Sequence, residues 1–320
     1  MLASARNQSD FCPPTKSLRF QIPMIQTAAK DTCFSPRQTL CCPGGRLLDL
    51  RQPQVMGILN LTPDSFFADS RVASHANHTD LLRRAEAMLK AGAGVLDLGA
   101  YSSRPGAEDI SAEEEQRRLL PALISLRETF PEAFISVDTF RASVAAEAVA
   151  AGADIINDIS GGTLDEAMFA TVGRLRVPYV LMHMRGTPQT MTQHTDYAND
   201  MVVELVRYFR DKLVAIRAAG IVDVVLDPGF GFAKTPAQSY ALLRRLGELQ
   251  VLGLPVLAGL SRKGMVYKSL GLTPEEALPG TIALNAIALL NGAKLLRVHD
   301  VAEAVQTVQL VSQTYPSPTP

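Results

Sequence analysis

A chain of 320 residues that is 47% hydrophobic and 20% charged can bury one large core, on the scale an α/β barrel fills as a single domain. A net charge of −1 with no Lys/Arg run excludes a broad attraction to nucleic acid, and no apolar run reaches membrane-spanning length. All four cysteines, Cys12, Cys33, Cys41 and Cys42, precede the patterned part of the chain and lack zinc-ligand spacing. With neither a disulfide framework nor the apolar core of a secretory signal, the composition points to the cytoplasm.

Residues 1–37 are polar, unpatterned and punctuated by Pro13, Pro14, Pro23 and Pro36, which predicts a poorly ordered extension, with Met24 a candidate for the true start of translation. The catalytic domain is expected over 38–315. It opens with two short runs flanking Pro43-Gly44-Gly45, a hairpin signal, and this hairpin is placed at the bottom of a barrel as a plug. Short apolar runs at 55–59, 94–98, 133–137, 154–156, 178–182, 222–226, 254–258 and 294–298 then alternate with helical patterns. Those patterns cover 79–91, 112–129, 140–151, 164–175, 197–219, 236–249, 281–291 and 301–312. Eight strand–helix pairs predict a closed (β/α)8 TIM barrel. Ser111 followed by Glu113 and Glu114 reads as a helix cap, and Gly92, Gly152 and Gly292 each end a helix just before a strand. The rival doubly wound sheet lacks its glycine-rich fingerprint after the first strand.

Polar signatures stand where the apolar runs end. They are Asn60-Leu61-Thr62-Pro63-Asp64-Ser65-Phe66, Ser103-Arg104-Pro105-Gly106, Ser136-Val137-Asp138-Thr139, Ile156-Asn157-Asp158-Ile159, Asp227-Pro228-Gly229-Phe230-Gly231-Phe232, Ser261-Arg262-Lys263-Gly264 and Arg297-Val298-His299-Asp300. A barrel collects such groups at one end, the usual place for its active site.

In order and spacing these signatures resemble the dihydropteroate synthase family, from about Gly45 to Val311. The resemblance implies condensation of 6-hydroxymethyl-7,8-dihydropterin diphosphate with 4-aminobenzoate, giving 7,8-dihydropteroate and diphosphate, with Mg²⁺ as cofactor and a homodimer as assembly. Each role has its chemical reason. The Asn60 amide oxygen suits a hard ion that takes its remaining ligands from phosphate and water. Arg297 and His299 share one face of the last strand and suit the diphosphate, while Asp300 is placed as the cap of the final helix.

Asp227 would accept the amino-pyrimidinone edge of the pterin, Asn157 would read another ring nitrogen, and Lys263 would donate from the opposite side. Phe232 follows Asp227 as a wall for the ligand. Asp138 would stabilise positive charge as diphosphate leaves, unless it merely caps the helix expected at Phe140. The family places Ser103 and Arg104 on aminobenzoate and anions, and Phe66 over the aromatic ring. His183 is assigned to loop orientation ahead of catalysis, and Met182 to the core or the pterin pocket.

Three departures from the common family pattern stand out. Asp69 lies one place beyond the usual first-loop acid, Tyr101 replaces a frequent glutamate, and Gly264 stands where serine often follows the lysine. That last change hands the aminobenzoate carboxylate to Arg262 or a backbone N–H. The rival readings are a pterin-binding methyltransferase, which needs no cationic cluster of Arg104, Arg297 and His299, and a catalytically silent paralogue. Apolar stretches at 282–290 and 308–311 are the candidate two-fold interface.

Overall fold

The computed structural model describes residues 38–61, 71–102 and 109–315, with backbone alone over 71–78. The expected extension at 1–37 therefore lies outside the described residues, as do Phe66, Asp69, Ser103 and Arg104.

The chain opens on an antiparallel hairpin, β1 (Thr39–Cys41) and β2 (Leu47–Asp49), in which Leu40 faces Leu48. Gly44 and Gly45 turn between them at φ 73° and 76°, values that favour glycine. Eight parallel strands follow: β3 (Gln54–Asn60), β4 (Val95–Gly99), β5 (Phe134–Asp138), β6 (Ile155–Asp158), β7 (Tyr179–Met182), β8 (Val224–Asp227), β9 (Val256–Ala258) and β10 (Ala293–Val298). They pair in chain order, and β10 closes on β3. The (β/α)8 barrel with an N-terminal hairpin is thus the observed architecture.

Helices α1 (Arg71–Lys90), α2 (Ala112–Thr129), α3 (Ala142–Ala150), α4 (Met168–Leu175), α5 (Met201–Ala218) and α6 (Pro236–Arg244) cross between strands. After β9 come α7 (Gly264–Leu270), α8 (Leu278–Leu290) and, beyond β10, α9 (Val301–Thr314). The short α7 has no counterpart among the expected elements. Its seven residues end on Gly271 at φ 67° and are too few to display a helical period. Ser111 caps α2 as expected, its hydroxyl accepting from Glu114 N at 3.2 Å. By contrast, Asp300 stands at the N-cap of α9 but makes no side-chain cap bond, because Arg262 takes both its oxygens, at 3.0 and 2.6 Å.

The pleat divides each strand between two cores. Outward side chains such as Leu96, Leu98, Val137 and Ile156 pack under the helices. Inward residues at the strand starts (Met56, Val95, Ile155, Val180, Val225, Leu257 and Leu295) pack with Leu40, Cys42, Leu48 and Leu50 of the hairpin segment. The hairpin therefore plugs the N-terminal mouth. Each of its fully buried leucines contributes about 1.5–3 kcal/mol by leaving water. Polar contacts fix the plug as well: Arg46 pairs with Asp154, which Arg127 also holds at 2.7 Å, and Cys41 N donates to Asp223 Oδ2 at 3.3 Å. Burial pushes the Cys42 thiol up to about 12, so this cysteine is a core residue.

Candidate active site

With the N-terminal mouth closed, chemistry is confined to the opposite end. Counting inward by twos from the plugged layer reaches Asp97, Asn157, Met182, Asp227, Gly259 and Arg297; two residues further stand Asn60, Gly99, Asp138 and His299. Register agrees, since Asn60 pairs with Gly99, Gly99 with Asp138 and Asp138 with Asn157. One strand period thus converts a series of chain signatures into a polar shelf.

Arg297 lies at the centre of this shelf. Its Nε donates to Asp97 Oδ2 and its Nη2 to Asp138 Oδ2, both at 2.6 Å. Burial opposes the guanidinium charge, but the Asp97 and Asp138 carboxylates outweigh it and hold Arg297 above its ordinary value. Asp97 is fully buried and also accepts from Asn157 Nδ2 at 3.2 Å. Burial is the main influence on Asp138 too, pushing it up to about 7 against the opposing pull of Arg297. Asp138 does not cap α3: the helix starts at Ala142, whose N–H goes to Asp165 Oδ2 at 2.7 Å. Gly99 lets the strands meet here, since a Cβ at that position would lie 3.3 Å from the Asp138 Cβ.

The second half of the shelf is the turn after β8. Asp227, 6% exposed, accepts from Gly229 N at 2.8 Å, and burial raises its pKa against the pull of Lys263. Lys263 reaches the same turn, donating to the Phe230 carbonyl at 2.5 Å with its Nζ 4.8 Å from the Phe232 ring centre. Burial lowers Lys263 to about 8, with Asp227 resisting. Phe140, Ile159, Met182, Met184, Met191 and Ala233, with Tyr101 and Phe232 packed against them, supply the apolar wall. His299 Nδ1 lies 3.0 Å from Ser261 Oγ.

The arrangement offers a flat, hydrogen-bonding heterocycle a carboxylate, an amide and an ammonium, beside a carboxylate–guanidinium pair and the His299 imidazole. Asn157, Asp227, Lys263, Phe232, Asp138, Arg297, His299 and Asn60 all belong to this end of the barrel. Arg262 sits at the rim with its guanidinium given to Asp300.

The sequence model of the family described as pterin binding enzyme matches residues 56–299. The chain is 42% identical to the dihydropteroate synthase of Escherichia coli (strain K12) over 84% of its length and 94% of that protein. The chain belongs to the dihydropteroate synthase family. Two solved dihydropteroate synthases share its fold. The Yersinia pestis enzyme in a sulfonamide drug complex superposes with a TM-score of 0.79 and 41% identity, over 87% of this chain and all of that one. The Xanthomonas albilineans enzyme with 4-aminobenzoic acid gives 0.79 and 39%, over 88% and 99%. Membership of this family sets aside the methyltransferase reading, and a turnover assay decides for or against the silent paralogue.

Two buried residues at this end of the barrel escaped the sequence reading. Asp97 sits inside the run Val95-Leu96-Asp97-Leu98, and the signal was available: an acid flanked by leucines in a buried strand needs a partner. Lys234, 6% exposed, holds the carbonyls of Gly229 and Phe232 and follows the turn rather than a strand end.

Proposed function

We propose that the chain condenses 6-hydroxymethyl-7,8-dihydropterin diphosphate with 4-aminobenzoate, forming 7,8-dihydropteroate and diphosphate. The observation that carries this reading is the buried shelf of Asp97, Asn157, Asp227 and Lys263 adjoining the Arg297–Asp138 pair. Asp227 would accept the paired donors of the pterin edge, while Asn157 and Lys263 would take the remaining ring atoms. The methylene–oxygen bond then breaks, its electrons leave with diphosphate, and the amine nitrogen bonds to the methylene and loses a proton. Asp138 would stabilise the positive charge that appears on the pterin side, with Arg297 fixing its orientation. His299 and Arg297 would face the departing diphosphate.

Mg²⁺ fits the donors present: Asn60 offers one amide oxygen at the rim, in keeping with an ion that takes most of its ligands from phosphate and water. When bound it would neutralise diphosphate charge. Phe66, Asp69, Ser103 and Arg104 are proposed, on the resemblance alone, to complete the aminobenzoate side, together with Arg262. We further propose a homodimer through α8 and α9, where Ile287, Leu290 and Leu310 expose apolar surface, and a cytoplasmic location. No helix among the described residues is long and apolar enough to cross a membrane.

A coupled assay with both substrates and Mg²⁺ tests the reading, and absence of dihydropteroate overturns it. Asp227→Asn is expected to weaken pterin diphosphate binding by about 1.5–3 kcal/mol, as for loss of a charged hydrogen bond, with much less effect on bound turnover. Calorimetric titration measures it; unchanged affinity removes Asp227 from the pocket.

The pH dependence of kcat/KM should be bell-shaped, because this ratio reports the free enzyme's groups. Asp138 must be ionised, so activity falls as pH drops through about 7. Lys263 must be protonated, so activity falls again as pH rises through about 8. Asp138→Asn should erase the acid limb in the residual activity; a limb that persists unchanged assigns it elsewhere.

A further inference from the structure

Against the turn that follows Asp227 lies a buried lysine that the reaction scheme leaves unused. Lys234 Nζ is 2.9 Å from His183 Nδ1 and donates to the carbonyls of Gly229 and Phe232, each at 3.1 Å. Three acceptors match the three N–H bonds of an ammonium. His183 is itself 2% exposed, and its backbone N–H donates to the Asp227 carbonyl at 2.9 Å, so its backbone is anchored to the strand that carries the carboxylate. Burial first, then Lys234 and Arg185, lower the His183 pKa well below its ordinary value, and because an ammonium only donates, Nδ1 of the neutral ring is the acceptor.

The turn these groups grip is wound unusually. Gly229, Gly231 and Ala233 all have positive φ, at 68°, 76° and 49°, and Ala233 is a residue that resists this conformation. A Cβ at Gly229 would stand 2.2 Å from the His183 carbonyl. Tyr197 Oη donates to the Ala233 carbonyl at 3.1 Å, and Lys263 holds the Phe230 carbonyl from the opposite side. Such a backbone persists only when its surroundings over-determine it. Next to the turn, Thr235 caps α6 with a complete capping box, so Lys234 projects from a fixed point.

We propose that Lys234, seated against His183, is a positioning residue for pterin recognition: it gathers the Gly229 and Phe232 carbonyls, which aims the Gly229 N–H at one Asp227 oxygen and presents the other to the ring. This rests on the reading of Asp227 as the pterin acceptor. Burial lowers Lys234 to about 7, with Asp227 opposing this and Lys263 and Arg185 adding to it. The aromatic neighbours of its partner His183 are Tyr208 and Phe209 of α5 and Tyr197 before that helix. Loss of the proton leaves two N–H donors for the two carbonyls, so the grip on the turn survives and its tether to His183 is what changes.

The test uses the full chain with Lys234→Met, His183→Leu and His183→Asn, the last of which returns an amide oxygen near the Nδ1 position. For Lys234→Met and His183→Leu, KM for pterin diphosphate should rise about tenfold, the scale of one lost hydrogen bond to a charged group, while kcat and KM for 4-aminobenzoate stay within about twofold. Amide exchange over 228–234 should quicken by about the same factor, and His183→Asn should restore most of both. Equal behaviour of Leu and Asn at 183, unchanged exchange in the turn, or a parallel rise in both KM values overturns the proposal. Should Lys234→Met fail to fold, the pair at 183 decides alone. Failure of the wild type to form dihydropteroate would instead overturn the functional reading, and turn exchange reports the Lys234 grip independently of turnover.

Discussion

Asp138→Asn is expected to suppress positional isotope exchange within bound pterin diphosphate by about 10²–10³, the effect of removing one preorganised electrostatic stabiliser. If the methylene–oxygen bond breaks before the amine attacks, exchange occurs without aminobenzoate and reports the reversible ionisation directly. Only an interaction that strengthens as charge develops can change this rate. The Asp138 carboxylate meets the condition. It is held by Arg297 Nη2 at 2.6 Å, so it need not reorganise as the bond breaks. The asparagine can still accept from Arg297 and keeps the shape of the shelf, so ring binding should change little. Its neutral amide also leaves Arg297 balanced by Asp97 alone, which makes a nearby cation harder to form. Exchange equal in the two proteins would reduce Asp138 to a structural ligand of Arg297. Exchange absent from the wild type would point to concerted displacement.

Most of this site was legible because the barrel delivers residues by simple periods. Apolar runs announced the strands, and the polar residues at their ends, Asn60, Asp138, Asn157, Asp227 and Arg297, needed only a two-residue alternation to face one another. The hairpin was equally readable, since Pro43-Gly44-Gly45 separates two runs too short to fold alone. What escaped depends on distance in the chain. Arg297 was assigned to diphosphate as a cation, and nothing local indicated that Asp97 and Asp138, two and three strands away in the barrel, hold it on two sides. Asp300 looked like a cap because its position is right, yet an arginine thirty-eight residues earlier takes the carboxylate. Lys234 was passed over because a lysine after a glycine-rich turn is ordinarily solvated, whereas here the turn folds back over it.

The pairing at Arg297 leads to the largest stability effect. Arg297→Leu should lower the unfolding free energy by about 3 kcal/mol near pH 8, the low end of the roughly 3–5 kcal/mol seen when one partner of a buried pair is removed. The low end applies because the arginine side chain is 22% exposed while Asp97 is fully buried. The loss comes from carboxylates left in a dry interior, so it should follow their ionisation. Asp138 already has a folded pKa raised to about 7, above the ordinary unfolded value near 4, and removing the cation that lowers it pushes it further up. Such a group takes up a proton on folding. Its penalty is absent below the unfolded pKa, grows as pH rises toward the folded pKa and levels off above it. The gap between variant and wild type should therefore be small and flat below about pH 6 and widen above about 7, where the wild-type penalty has levelled off and the variant's still grows, with urea unfolding at several pH values as the measurement. Adding Asp138→Asn should recover part of the loss at pH 8, because the two residues are in contact and their effects do not add. A gap independent of pH and indifferent to Asp138→Asn would assign the destabilisation to lost packing of the arginine stem, leaving the charge pairing a minor contributor.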